Sequence, residues 1–257
     1  MIQSVERAAL ILKALTTDSG RLGVTELADR LGLAKGTVHG LLRTLEAHEL
    51  VEQDTETGKY RLGVAALQLG NAFLENNELR GRSLLWADSL ASRTQEAVRV
   101  GVLNGRDVLI VHHVFRPDNS VQILEVGAAI PWHACALGKA IVAHVDARHR
   151  RDLLAEQLPK LTGRTLDSPT DLETEFTRTE RAGFATDDQE AIVGEAGIAA
   201  PVFDHRGVVG AIGITGPVER LIDNEPNPSI IVAVRDTARG LTRDLGGARL
   251  PFRQAGA

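Results

Sequence analysis

The sequence predicts an α+β protein in two parts, a winged helix-turn-helix followed by a larger domain of helices around a mostly antiparallel sheet. Three observations predict it. Two short helical patterns flank a glycine turn at residues 24–46. A compact pair of alternating strands follows at 51–62. Beyond residue 95 the pattern changes to apolar alternation separated by turn residues.

Residues 4–16 place Val5, Ala8, Leu12 and Leu15 at helical spacing, and Asp18-Ser19-Gly20 would end that helix. Residues 24–31 form a second helical pattern with Thr25 as its expected N-cap. Gly32-Leu33-Ala34 is the turn. Residues 35–46 form the third helix, with Val38, Leu41, Leu42 and Leu45 in one apolar stripe. Its opposite face carries Gly36, His39, Gly40 and Arg43. A glycine inside a helix costs about 1 kcal/mol relative to alanine. Two on the polar face point to close approach by something bulky, such as a phosphate backbone. Val51-Glu52-Gln53 and Lys59-Tyr60-Arg61-Leu62 alternate around a loop ending in Thr57-Gly58. Helix, turn, helix and hairpin in this order imply that the second helix of the pair enters the major groove of duplex DNA. The expected DNA-binding residues are Lys35, Gly36, Thr37, His39, Gly40 and Arg43 on the helix, with Lys59 and Arg61 on the wing.

Residues 64–77 form another amphipathic helix, with Leu67, Leu69, Phe73 and Leu74 apolar. The polar run Glu75-Asn76-Asn77-Glu78 marks the domain boundary, and residues 79–93 return to a helical pattern. Residues 97–103 and 108–114 flank Asn104-Gly105-Arg106-Asp107, a hairpin signal. Residues 121–126 read as a third strand. Helices are expected at 134–145, 148–157 and 170–181, with Pro169 at the head of the last. Strands follow at 184–186, 197–203 and 208–215, joined in part by the turn Asp204-His205-Arg206-Gly207. A helix over about 229–245 closes the fold. The expected division is 1–62 for the winged helix, 63–78 for a linker helix, 79–248 for the larger domain and 249–257 for a flexible tail.

Composition bounds the function. Of 257 residues, 43% are hydrophobic and 25% charged, which is ordinary for a globular protein. No apolar run reaches the ~18–20 residues of a bilayer span, so no membrane partner is expected. Glu6 and the lack of a signal-type apolar run argue against a leader. The single cysteine, Cys135, excludes an internal disulfide and fits a reducing cytoplasm. Net charge is −5, and residues 1–62 hold eight Lys/Arg against nine Asp/Glu. A DNA-binding face must therefore arise from placement of charge rather than from its total, with more than one copy of the chain sharing the load.

The downstream motifs narrow the field. Pro131-Trp132-His133-Ala134-Cys135-Ala136-Leu137-Gly138-Lys139-Ala140 resembles the His–Ala–x–x–x–Gly–Lys–Ala element of the IclR family of bacterial transcriptional regulators. Residues 188–194 and 197–204 resemble its signature segment, and Gly210-Ala211-Ile212-Gly213-Ile214-Thr215-Gly216-Pro217 is similar to the strand that follows. Within the family the chain is most similar to regulators of the glycerol-operon type. The resemblance implies a cytoplasmic, ligand-responsive repressor that is not an enzyme. Its larger domain would be a GAF-like effector-binding domain. Its partners would be double-stranded operator DNA, a small effector (a carboxylate or glycerol-related metabolite) and further copies of itself, as dimer or tetramer. It also places the effector site at Ala136, Leu137 and Gly138, at Glu190 and the 194–197 loop with Gly197, and at Gly213 and Thr215. Small residues at 136, 138, 197 and 213 would leave room for the ligand, Thr215 would donate a hydroxyl, and N–H groups at a helix start would suit an anion.

Other chemistries fit less well. Leu137-Gly138-Lys139-Ala140 lacks the earlier glycine and following Ser/Thr of a phosphate loop. Asp187, Asp188, Glu190 and Glu195 read as a solvated acidic loop. His112, His113, His133 and Cys135 match no zinc spacing, and the adjacent His112 and His113 would face opposite ways on a strand. No metal or cofactor is expected. The alternative is a small-molecule enzyme using His133, Cys135, Asp188 and Glu190, with the N-terminal helices as an accessory.

Overall fold

A computed structural model of the chain describes residues 2–16, 20–118 and 121–247. It divides into two compact units, Met1–Asn76 and Asn77–Ala257.

The first unit begins with α1 (Gln3–Ala14), α2 (Val24–Leu31) and α3 (Lys35–Ala47). Their apolar positions meet in one core. Ile11 and Leu15 pack with Leu27, with Val38, Leu42 and Leu45, and with Val51 and Tyr60 of the hairpin. Gly32 caps α2 at φ 63, a left-handed conformation that glycine adopts without strain, and starts the turn into α3. Strands β1 (Val51–Gln53) and β2 (Tyr60–Leu62) pair antiparallel with Glu52 opposite Arg61. Tyr60 also exchanges both backbone hydrogen bonds with Leu22, which ties the wing to the start of the helical pair.

One expectation changes here. Thr25 is not the N-cap of α2; Gly23 is, and its N–H is taken by the Glu26 carboxylate at 2.6 Å. Glu26, three residues on, thus supplies the backward half of a capping box, the N3 carboxylate on the N-cap N–H, while glycine offers no side chain for the forward half. The helix α4 (Val64–Glu75) buries no residue, and Val64, Leu67, Leu69 and Phe73 are all more than half exposed. Asp18 and Ser19, the expected stop after α1, lie outside the described residues, as does the expected tail.

The second unit is built on six antiparallel strands in the order β5-β4-β3-β8-β7-β6. These are β3 (Ala97–Asn104), β4 (Asp107–Val114), β5 (Ala129–Pro131), β6 (Ala185–Asp188), β7 (Glu195–Phe203) and β8 (Val208–Pro217). The β3–β4 turn is Gly105-Arg106, with Asn104 paired to Asp107 as the last rung and Gly105 at φ 61. One sheet face carries α5 (Glu78–Thr94) and α10 (Pro228–Asp244). These two helices meet where Gly240 lies under the Trp86 ring, and the indole donates to Asp244 at 2.7 Å. The other face is covered by α6 (Ala136–Val142), backed by α8 (Pro169–Ala182), while α7 (Ala147–Leu154) adds Leu153 to the same core. The short α9 (Val218–Leu221) leads from β8 towards α10.

The expected third strand at 121–126 is absent. Residues 121–125 are irregular, with Val121 99% and Ile123 81% exposed. The edge of β4 is taken instead by β5, through Ile130 against Val108, while Ala128 accepts from the Ile110 N–H. β5 covers that edge only as far as Ile110, and 121–125 run past the rest of β4 without pairing with it. The helix expected over 134–145 is shorter, because a 3-10 turn occupies Trp132–Ala134 and α6 begins only after Cys135.

Candidate DNA-contact face and effector cup

On α3, Lys35, Gly36, His39, Gly40 and Arg43 are exposed and Thr37 is half-buried, on the face opposite the buried Val38 and Leu42. Neither Lys35 nor Arg43 makes a salt bridge or side-chain hydrogen bond among the described residues. A Cβ built on Gly36 or Gly40 would meet nothing within 4 Å. Both glycines therefore open onto space, and the backbone there is bare. On the wing, Lys59 pairs with Glu26 at 3.0 Å and Arg61 pairs with Glu52, its cross-strand neighbour. These exposed pairs contribute little to stability, so both cations can exchange their partners for phosphates.

In the second unit, register sorts the site. Arg99 lies opposite Gly213, Ala97 opposite Thr215, Gly197 opposite Thr215, and Asp187 opposite Gly197. These positions share the sheet face covered by α6, because alternate strand residues point the same way. The start of α6 closes on them: a Cβ on Gly197 would lie 3.4 Å from Ala136 Cβ, and one on Gly101 would lie 3.3 Å from the Leu137 side chain. The Cys135 Sγ accepts from the Gly138 N–H at 3.4 Å and caps the helix. Burial pushes the Cys135 thiol up to about 12, so it is an inert, packed group.

The room expected at the small residues is partly filled by the chain itself. A Cβ on Gly138 would stand 2.1 Å from the Trp132 carbonyl oxygen, and one on Gly213 would stand 2.6 Å from Ile198 O. These glycines permit close packing of backbone. Ala136 and Leu137 are buried. Thr215 is buried too, and its hydroxyl donates to Glu195. Glu190 is buried against Lys139, which donates to its Oε1.

The acids at 187–195 do not form a solvated loop. Asp188 pairs with Arg164 at the rim, and the other three turn inward. Burial holds Asp187 up at about 7, although the Glu190 N–H at 2.8 Å and the Lys139 ammonium both pull it down. The group overlooked in the sequence is Arg99. Its guanidinium donates through Nε and Nη2 to both carboxylate oxygens of Glu125, and through Nη2 to Glu195 Oε1 at 2.9 Å. His113, opposite Arg99 on β4, accepts the Glu125 N–H at Nδ1, 3.3 Å away. Burial holds the His113 imidazole below its ordinary value, which suits a neutral ring accepting at that nitrogen. An arginine in the middle of an otherwise apolar strand was the available signal.

The groups proposed for an enzyme are each engaged elsewhere. His133 Nε2 lies 2.9 Å from Pro159 O, Asp188 holds Arg164, and Glu190 holds Lys139. His112 faces the α5 side, under the charges of Arg80 and Asp88, while His113 faces Glu125. Among the described residues, no group of three or more His, Cys, Asp or Glu is placed to hold a metal ion. No described helix is long and apolar enough to cross a membrane.

A winged helix with a bare cationic face, followed in one chain by a sheet domain whose α6-covered face holds paired charges, fits a ligand-responsive DNA-binding regulator. Residues 4–55 match the IclR helix-turn-helix domain, and residues 71–243 match the bacterial transcriptional regulator IclR C-terminal domain. The chain belongs to the IclR family of transcriptional regulators, and its relatives are named as regulators rather than enzymes. It is 48% identical over 250 residues to the glycerol operon regulatory protein of Streptomyces coelicolor, covering 96% of this chain and 98% of that one. It is 30% identical over 252 residues to the transcriptional repressor IclR of Escherichia coli, covering 96% and 92%. A regulator of this family from Alicyclobacillus acidocaldarius superposes with a TM-score of 0.83 at 25% identity, covering 96% of this chain and all of that one (100%).

Proposed function

We propose that this regulator is a cytoplasmic repressor that works as a dimer or tetramer on operator DNA and is released by a small glycerol-related or carboxylate metabolite. Residues 1–62 bind the DNA, 63–78 link, and 79–248 hold the effector. The observation that carries the DNA contact is the α3 face, where Lys35 and Arg43 make no ion pair or side-chain hydrogen bond among the described residues, beside two glycines that open onto space. Arg43 reads base edges, Lys35 and the wing cations Lys59 and Arg61 hold phosphates, and Thr37 and His39 add polar contacts. The exposed apolar residues of α4, Val64, Leu67 and Phe73, support association of copies. Ala136, Leu137, Gly138, Glu190, Gly197, Gly213 and Thr215 surround the effector. The glycerol operon relative supports a glycerol-related effector. Ligand acts by its differential affinity for two arrangements of the protein, only one of which fits the operator.

The test is a binding assay of purified full-length protein on DNA from upstream of its own and neighbouring genes. Specific binding that is lost in Arg43→Ala and reversed by a metabolite supports the proposal. Binding that ignores sequence, or that survives Arg43→Ala and Lys35→Ala together, overturns it.

A further inference from the structure

Arg99 is the least expected group on the α6-covered sheet face. It sits at the middle of β3 with only 15% of its side chain exposed. A guanidinium so placed needs carboxylate or phosphate partners, because water reaches it poorly. One partner, Glu195, comes from β7 and is braced by the Thr215 hydroxyl. The other, Glu125, does not come from a strand at all. It sits at the end of the irregular stretch 121–125, which pairs with no strand and leaves Val121, Ile123 and Leu124 more than half exposed. Yet Glu125 makes the fork-on-fork contact, both oxygens on Nε and Nη2, which is the geometry with which arginine recognises a free carboxylate or phosphate.

We infer that Arg99 is the anion subsite of the effector cup and that Glu125 fills it until an anionic effector takes its place. The inference rests on the effector cup proposed above and adds the chemistry of one end of its ligand. The exchange conserves charge: Arg99 faces Glu195 and one further anion before and after. A neutral polyol cannot make this exchange, since it would leave the guanidinium short of one carboxylate. The displaced carboxylate is 29% exposed already, so it can move to solvent without crossing the core. Its departure also breaks the 3.9 Å contact of the carboxylate with His113 Nε2 and loosens the 121–125 stretch, whose other described ties are the Gln122 side chain to the Arg116 backbone and the Glu125 backbone to His113 and Ala128. Effector binding is thereby coupled to release of a surface segment.

The shared chemistry is a small anionic head, carboxylate or phosphate monoester. Calorimetry on the full-length protein with glycerate, glycerol 3-phosphate and glycerol distinguishes these sources and includes a neutral control. In Glu125→Gln the resident competitor is weakened with little change of shape. The apparent affinity for the anion that binds should rise at least about tenfold, since the fraction of competent sites rises. Arg99→Lys keeps a charge but loses the fork, and should weaken the same anion by about tenfold or more. Saturating anion, and not glycerol, should also speed chymotryptic cleavage at Leu124 in the wild-type protein. Glycerol binding alone, no gain in anion affinity in Glu125→Gln, or unchanged cleavage at saturation each overturns the inference. Operator binding by the same preparations separates this failure from failure of the regulator itself: retained DNA binding with no anion effect sinks only the role of Arg99 and Glu125.

Discussion

Lys139 and Glu190 form an ion pair inside the second unit, with only 1% and 8% of their side chains exposed. They lie 51 residues apart in sequence, one on α6 and one just past β6. Burial raises the Glu190 carboxyl and the Lys139 ammonium opposes that shift, so each group makes the other tolerable. Removing one partner of a buried pair is expected to cost about 3–5 kcal/mol, whereas replacing both with apolar groups is often near neutral. Lys139→Met should therefore lower the urea midpoint sharply, and Lys139→Met with Glu190→Leu should recover most of the loss. Simple additivity of the two single variants would show that the pair is not coupled.

Two glycines should respond to alanine in opposite directions. Gly40 lies inside α3 with nothing near its missing Cβ. Gly40→Ala should stabilise the free protein by about 1 kcal/mol and weaken operator binding, because the added methyl stands where the DNA backbone approaches. Gly138 lies against the Trp132 backbone, which cannot retreat like a flexible side chain. Gly138→Ala should destabilise by about 1–3 kcal/mol or more through overpacking. Thermal unfolding and operator titration of both variants check the pair of signs.

The α3 cations should differ in kind. Lys35→Ala should weaken DNA binding across sequences and lower the slope of log affinity against log salt by about 1, as one phosphate contact is lost. Arg43→Ala should cost about 1–3 kcal/mol on the operator and less on unrelated DNA, relaxing the preference at one base position. Titrations at several salt concentrations, on specific and scrambled duplexes, separate the two roles. Equal losses on both duplexes for Arg43→Ala would make it a phosphate contact.

Much of the fold was legible because local signals agreed with tertiary packing. The α2–turn–α3 boundaries followed from the apolar period and from Gly32, whose left-handed φ of 63 few other residues adopt readily. The β3–β4 hairpin was legible from alternation and Gly105. Residues 121–126 misled because alternation records which side chains could share a face, and says nothing of whether the segment's backbone goes on to pair with a neighbour. Thr25 misled because the helix starts earlier, at Gly23, an N-cap with no side chain whose own N–H is taken by Glu26. The candidate effector site was only half legible. Its glycines and Thr215 stood out as a motif, but the pairing of Arg99 with Glu125 and Glu195 is non-local, and three charges far apart in sequence carry no spacing that announces them.

Asp187 makes the stability of the second unit depend on pH in an unusual direction. Its carboxyl is held at about 7 in the folded chain against an ordinary 3.8, chiefly by burial. Between those values the folded state binds a proton that the unfolded chain has released, so this group's contribution is full below about pH 4 and is lost as pH rises through about 7. Linkage bounds that contribution at about 4 kcal/mol. The buried His133 and half-buried His144, held below their ordinary value mainly by burial, act the other way: they favour folding when neutral and lose that contribution as pH falls below the ordinary histidine value of 6.5. The two effects oppose each other between about pH 4 and 7 in the wild-type protein. Asp187→Asn removes one of them and keeps a neutral polar group on the Glu190 N–H. The variant should therefore gain stability relative to wild type as pH rises from 5 to 8, read as the difference in urea midpoints across that range. A difference that stays constant with pH would show that Asp187 is ionised in the folded protein throughout.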